Sequence, residues 1–436
     1  MNVRLKFSRK LRDRGDERGA TMILIAIALS FVILAIAALA IDLVALYSAH
    51  NDARAAADVA ALAGAKFIAN SGYTTDATTT PWISITAPAI AVAQAAGSQN
   101  KISGQAIPVA SIIVTPSTGN GNGGNTNPQV AVTITSSSLP AFFSRIWGNT
   151  ALSVAATATA EVYNPSGNSL PVQSQCVKPW LLPNIAPNGA GNSPLLDVAT
   201  GQISAALPLV GTPYPLTLAA GCGSGCLPPP HIPAATKGSY YPVQLNAGGF
   251  SSTSTACTAS SCEYAQNIAA CSSAPISCGS QLTIETSMDA CLGGFVQANA
   301  TGIQCLIHAS APGPGAGQDC MGADASNCAG ASVPSLATQF LAGDDNPLRL
   351  DGVNAGDLIS TSDSVVTIPI FNQPAVGAIP NPVTVIGFVQ GFVTDYGANG
   401  AFDIRIINVA GCGASVSGSP VQGDSISPVP VHLIGN

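Results

Sequence analysis

The chain opens with an abrupt change of pattern. Met22 to Ile41 is an unbroken apolar run of twenty residues with one polar member, Ser30, and it stops at Asp42. As a helix this run spans about 30 Å, the thickness of a bilayer core. From 42 to 69 the sequence "DLVALYSAHNDARAAADVAALAGAKFIA" has no Pro, a single Gly and many Ala. That composition predicts a helix that runs straight on out of the membrane, reaching about 70 Å from Thr21 to Ala69.

After the helix the pattern shortens. Residues 70–82, Thr- and Ser-rich with Pro81, read as a loop, and Ala87–Gln105 as a second helix. The β-branched stretches 106–116, 129–137 and 151–163 predict strands, with a Gly/Asn loop at 117–128. No helix opens after that loop, so it is no phosphate cradle. "SLPAFFSRIWG" (138–148) reads as a short helix with Ser138 as N-cap and Pro140 in its first turn. Phe142, Phe143, Ile146 and Trp147 would make its core contact. These elements form a small α/β unit, 70–170, beside the long helix. Residues 171–362 are Cys-rich and loop-rich. In 363–436, strands at 363–372, 382–397 and 401–411 predict an antiparallel sheet or sandwich. The fold class is α+β.

Charge sets the orientation. Residues 1–18 hold seven Lys/Arg against three acids, whereas the chain from 70 onward holds six bases and sixteen acids. The basic head predicts a cytoplasmic N-terminus, and the bulk of the chain outside. The acidic remainder argues against a nucleic-acid partner. The expected partner of residues 22–41, among them Met22, Ile23, Phe31, Leu39 and Ile41, is the lipid bilayer. A cleaved signal peptide is the competing reading, with Ala38-Leu39-Ala40 as an A-x-A site, but the run exceeds the usual apolar core of such peptides.

All twelve cysteines lie at or beyond 176: Cys176, Cys222, Cys226, Cys257, Cys262, Cys271, Cys278, Cys291, Cys305, Cys320, Cys328 and Cys412. An even number confined to the distal part predicts disulfides in an oxidising compartment. The close spacings Cys222/Cys226, Cys257/Cys262, Cys271/Cys278 and Cys320/Cys328 are compatible with local bridges. Cys412 is placed to staple the last long strand to the Cys-rich part. A zinc site at Cys222, Cys226 and His231 is disfavoured by the irregular spacing of the other cysteines.

Catalytic patterns are sparse. Asp344, Asp345, Asp351 and Asp357 offer carboxylates for calcium or acid–base work, but their spacing fits no EF-hand loop. A polar loop with an Arg349–Asp351 contact is the simpler reading. Cys291 or Cys305 with His308 offers a thiol and a base, yet in this setting the thiols should be oxidised. No catalytic residue, metal or cofactor is assigned.

The segment "RGATMILIAIALSFVILAIAALAIDLVALYSAHNDARAAADVAALAGA" resembles the N-terminal domain of TadG-like and TadE-like proteins of the Flp (tight adherence) pilus system. The features that carry the resemblance are Arg18-Gly19, Asp42, and the stretch Asp58-Val59-Ala60-Ala61-Leu62-Ala63-Gly64-Ala65. A looser likeness extends through "PAFFSRIWG" and "AEV" to Cys176-Val177-Lys178-Pro179-Trp180, and a weaker one marks the C-terminal strands. The resemblance implies a pilin-like helix. It also implies an uncut form, because Leu24 stands where processed pseudopilins carry Glu. The metal motif D-x-S-x-S of some TadG relatives is not found. The implied function is a single-pass component of an Flp/Tad-type pilus assembly or secretion apparatus in the bacterial inner membrane, with pilus-assembly or envelope proteins as partners. An envelope-anchored binding protein or adhesin sharing only the anchor is the alternative, and an exported hydrolase a weaker one.

Overall fold

The structure is a computed structural model. It describes residues 16–118, 127–140, 143, 151–166, 168, 170–223, 225–228, 231–245, 262–271, 274–286, 294–309, 319–322, 338–343, 346, 353–359, 361–373, 379–397, 399–413, 418–422 and 427–435. It is a mixed α+β fold built on one long helix.

Helix α1 runs without a break from Asp16–Asn70. Helix α2, Trp82–Ser98, packs along it through Ile85, Ala89, Ala93 and Gly97, a four-residue repeat that keeps one face inward. This helix begins and ends earlier than the sequence predicts. Pro81 precedes its first turn, and a tight turn with Gly104 at φ +78° follows, pairing Lys101–Ile102 with Gln105–Ala106. Strands β1 (Ile112–Ser117), β2 (Gln129–Pro140) and β3 (Ala151–Val162) form an antiparallel meander against α1.

The short helix expected at 138–148 is corrected at its start. Ser138 lies within β2, and Leu139 and Pro140 continue the ladder opposite Leu152 and Ala151. Cross-strand pairing of Leu139 with Leu152 outweighs the local capping signal. Of residues 141–150 only Phe143 is described, and it is 37% exposed rather than in the core.

The distal body follows. Its main strands are β4 (Trp180–Pro183), β5 (Pro213–Leu218) and β6 (Ser239–Pro242). Helix α3 (Glu263–Ala269), the two-residue β7 (Gln281–Leu282) and helix α4 (Gly294–Leu306) come next. Strands β8 (Val365–Phe371), β9 (Val383–Tyr396) and β10 (Phe402–Gly411) complete the body. The last three pair antiparallel, one of the two arrangements expected of them. The sheet order is β7-β9-β8-β4-β6-β5-β10, and β10 also pairs with β9, so six of the strands close into a hydrogen-bonded ring. Two of its contacts, β8 with β4 and β5 with β6, are parallel. Neighbouring residues divide between two cores: Trp180, Leu182 and Tyr240 join one cluster with α3 and α4, while Leu181 and Tyr241 join another with Phe371 and Phe388. That is the period of a strand buried on both faces. Finally β11 (Val431–Ile434) returns to the first sheet and pairs with the end of β3.

Candidate functional site

No catalytic constellation organises the described residues; the feature that stands out is α1 and what grips it. Every residue from Thr21 to Ile41 is exposed except Ala38. Met22, Ile23, Phe31, Leu39 and Ile41 all point outward, as the membrane reading requires. Among the described residues α1 is the one helix long and apolar enough to cross a bilayer. Ala38 and Asp42, one turn apart on one face, are covered to 6% and 5% exposure. The Asp42 carboxylate accepts the backbone N–H of Phe143 at 3.2 and 3.3 Å. An acid at the end of the apolar run therefore holds Phe143, between β2 and β3, against the helix.

Above Asp42 the same helix becomes a core element. Ala49, Ala53, Ala56, Ala57, Ala60, Ala61, Ala65 and Ile68 are buried against Val130, Val132, Ile134, Ala158 and Ala160. The run from Asp58 to Ala65 supplies the closest approach. A methyl added at Gly64 would meet Ala93 Cβ and Val130 Cγ1 at 3.1 Å, tighter than usual contact, so α1, α2 and β2 pack closely here.

The C-terminal end of α1 is captured by the distal body. Helix ends leave carbonyls without partners. Here Asn408 Nδ2 donates to Ala69 O at 2.7 Å and Thr338 Oγ1 donates to Ser71 O at 3.1 Å. Asn408 also donates to Gln390 Oε1 at 2.7 Å. Val409 N–H donates to Thr75 Oγ1 at 2.9 Å, and Asn164 Nδ2 donates to Val409 O at 3.2 Å. Gly72 takes φ +79°, and a side chain there would strike Ile407 O at 2.6 Å and Val210 at 2.7 Å. Asp76, almost fully buried, accepts from the Thr78 and Thr79 hydroxyls and from Leu209 N–H. Burial alone would raise its carboxyl, but these hydrogen bonds outweigh it and pull the pKa down to about 2. This buried polar junction joins α1 to the strand ring.

The cysteines resolve in part. Cys222 bonds Cys226, so neither thiol is left for zinc with His231. Cys271 and Cys278, whose spacing is compatible with a local bridge, take distant partners instead: Cys271 bonds Cys176 and Cys278 bonds Cys412. Each partner comes from a strand segment beside it in space, not in sequence. The second bridge is the staple expected of Cys412. Cys262, Cys305 and Cys320 are also disulfide-bonded, which removes Cys305 as a nucleophile beside His308. Cys257, Cys291 and Cys328 lie outside the described residues, as do Asp344, Asp345, Arg349 and Asp351. Asp357 closes a turn by accepting Asn354 N–H at 2.7 Å. His308 pairs with Asp363 at 3.2 Å.

Sequence reading missed the buried Lys178 as a structural group. Its ammonium donates to Ile268 O and Ala270 O, both at 2.7 Å, capping the end of α3. Burial pulls its pKa down to about 7. It also missed Asn408, Gln390 and Asp76. The available signal was a polar side chain inside an apolar strand, as in "RIINVAG" and "GFVQGFV".

No curated protein and no solved structure matches the chain. The segment that leaves the apolar run and becomes the core of the first sheet does have a match: residues 19–66 fit the Tad family model, Flp pilus-assembly TadE/G-like.

Proposed function

We propose that this chain is a single-pass, membrane-anchored component of an Flp/Tad-type pilus assembly or secretion apparatus, acting as a structural and interaction protein. The observation that carries the reading is the double character of α1. Over the family-matched segment the helix is bare and apolar below Asp42 and core-forming above it. The basic head and the bridged cysteines support a cytoplasmic N-terminus in the inner membrane and an oxidising location for the body.

Two measurements test this. Intact mass of detergent-extracted protein should begin ahead of the apolar run; a chain beginning near Ile41 would make the run a discarded signal and sink the anchored role. Cross-linking in envelopes, followed by purification, should recover pilus-assembly proteins. Recovery of none, with surface binding retained in cells lacking the pilus genes, would transfer the function to an envelope-anchored binding protein.

A further inference from the structure

The exposed apolar surface of α1 does not stop where the bilayer-length run stops. Leu43, Val44 and Tyr47 are 64%, 67% and 68% exposed and continue the outward stripe through Ile36 and Leu39. From Met22 to Tyr47 the apolar surface rises about 39 Å, roughly 9 Å more than a hydrocarbon core. Yet the opposite face is already covered from Ala38. Body and apolar stripe therefore overlap along the helix for about 14 Å, from Ala38 to Tyr47.

That overlap restricts how the protein sits. Drawing the helix outward to free the body from lipid would drag Arg18, Glu17 and Asp16, on the first turn of α1, toward the hydrocarbon. Pushing it inward sinks the body further. With Met22 at the inner edge, the outer edge of the core falls at Ile41–Asp42. Phe143 is held at that level by its bond to Asp42, and its ring is partly exposed. Tyr47 stands about one and a half turns above, in the headgroup zone where such rings concentrate.

We infer that the base of the exported body is itself a lipid-contacting surface, with Leu43, Val44 and Tyr47 on α1 and Phe143 on the β2–β3 connection seated at the acyl–headgroup boundary of the outer leaflet. The inference rests on the anchored reading and deepens it. The anchor then has two lipid contacts, one transmembrane and one lateral, and the lateral one fixes the tilt and rotation of the body over the membrane.

The test uses full-length protein in phosphatidylcholine vesicles brominated either near the headgroup end of the acyl chain or near its terminus. In a Trp147→Phe background, the variants Phe143→Trp and Tyr47→Trp each add one reporter. The remaining tryptophans are internal controls: Trp180 is fully buried, and Trp82 packs on Tyr73 about 40 Å along the helix from Asp42. Both new indoles should lose most of their emission to the shallow bromines and less to the deep ones. Quenching at position 47 without quenching at 143 would overturn the inference, because the body would then stand clear of lipid. Quenching at neither position, with the protein floating with the vesicles, would overturn it while leaving the anchor intact. Failure to float with vesicles would sink the anchored reading itself.

Discussion

Two cores hold this molecule together, and they are made of different material. The core on α1 is alanine with short β-branched residues. The distal core is aromatic: Trp180 lies 4.4 Å from Phe402 between ring centroids, Tyr240 5.4 Å from Phe402, and Tyr264 4.9 Å from Phe295. Alanine suits a helix that must pass from a bare apolar stretch into a folded body without changing its backbone. It disturbs neither environment, and it lets a sheet approach the helix closely. The distal body has no such constraint and gains from large side chains. Its described disulfides all fall there too, because the first 175 residues contain no cysteine. One region is held by close approach, the other by bulk and covalent bridges.

Trp82 and Trp180 sit one in each region and can report them separately. The largest effect should come from opening the long bridge. Replacing Cys278→Ser with Cys412→Ser removes a link across 134 residues of sequence. It should destabilise the distal body by about 4 kcal/mol, seen as a lower denaturation midpoint for Trp180 with that of Trp82 little changed. Midpoints that fall together would break the comparison, since the halves would then unfold as one.

Gly72→Ala should come next, at about 3 kcal/mol from a left-handed backbone and a collision with Ile407 O. Its mark should be a separation of the two tryptophan transitions, because the damage lies at the junction. The smallest effect should be that of acid on Asp76. Its folded pKa is depressed to about 2 from 3.8, so its contribution is complete above the unfolded value and is lost as pH falls from about 4 toward 2. The loss should be at most about 2 kcal/mol and absent from Asp76→Asn, measured by the thermal midpoint across that window.

The long helix, the three strands beside it and the three C-terminal strands were legible because each is a sustained run of one kind: apolar and then Ala-rich without Pro for the helix, dense in β-branched residues for the strands. The rest depended on contacts that no local pattern encodes. Pro140 looked like the first turn of a helix but closes a strand, because Leu139 finds Leu152 across the hairpin. Cys271 stands nearer Cys278 in sequence but nearer Cys176 in space, where it ties the end of α3 to the segment before β4. The strand ring recruits β4, β5 and β6 from a region whose composition reads as loops; their residues are few and their partners distant. At the junction, Asn408 was visible as a polar intruder in an apolar strand, but its partner Ala69 lies at the other end of the chain.

The return of β11 to β3 has a consequence for the order of events as the chain is made. Helix α1 and the first three strands are made early, but the edge of β3 along Thr159–Val162 is not covered until Val431–Ile434 has been added. Until then the first sheet carries an open edge, the kind of surface that pairs with other chains. Completion of the first sheet thus registers that the distal body has been made, and a chain stalled midway stays marked by an unfilled strand position beside β3.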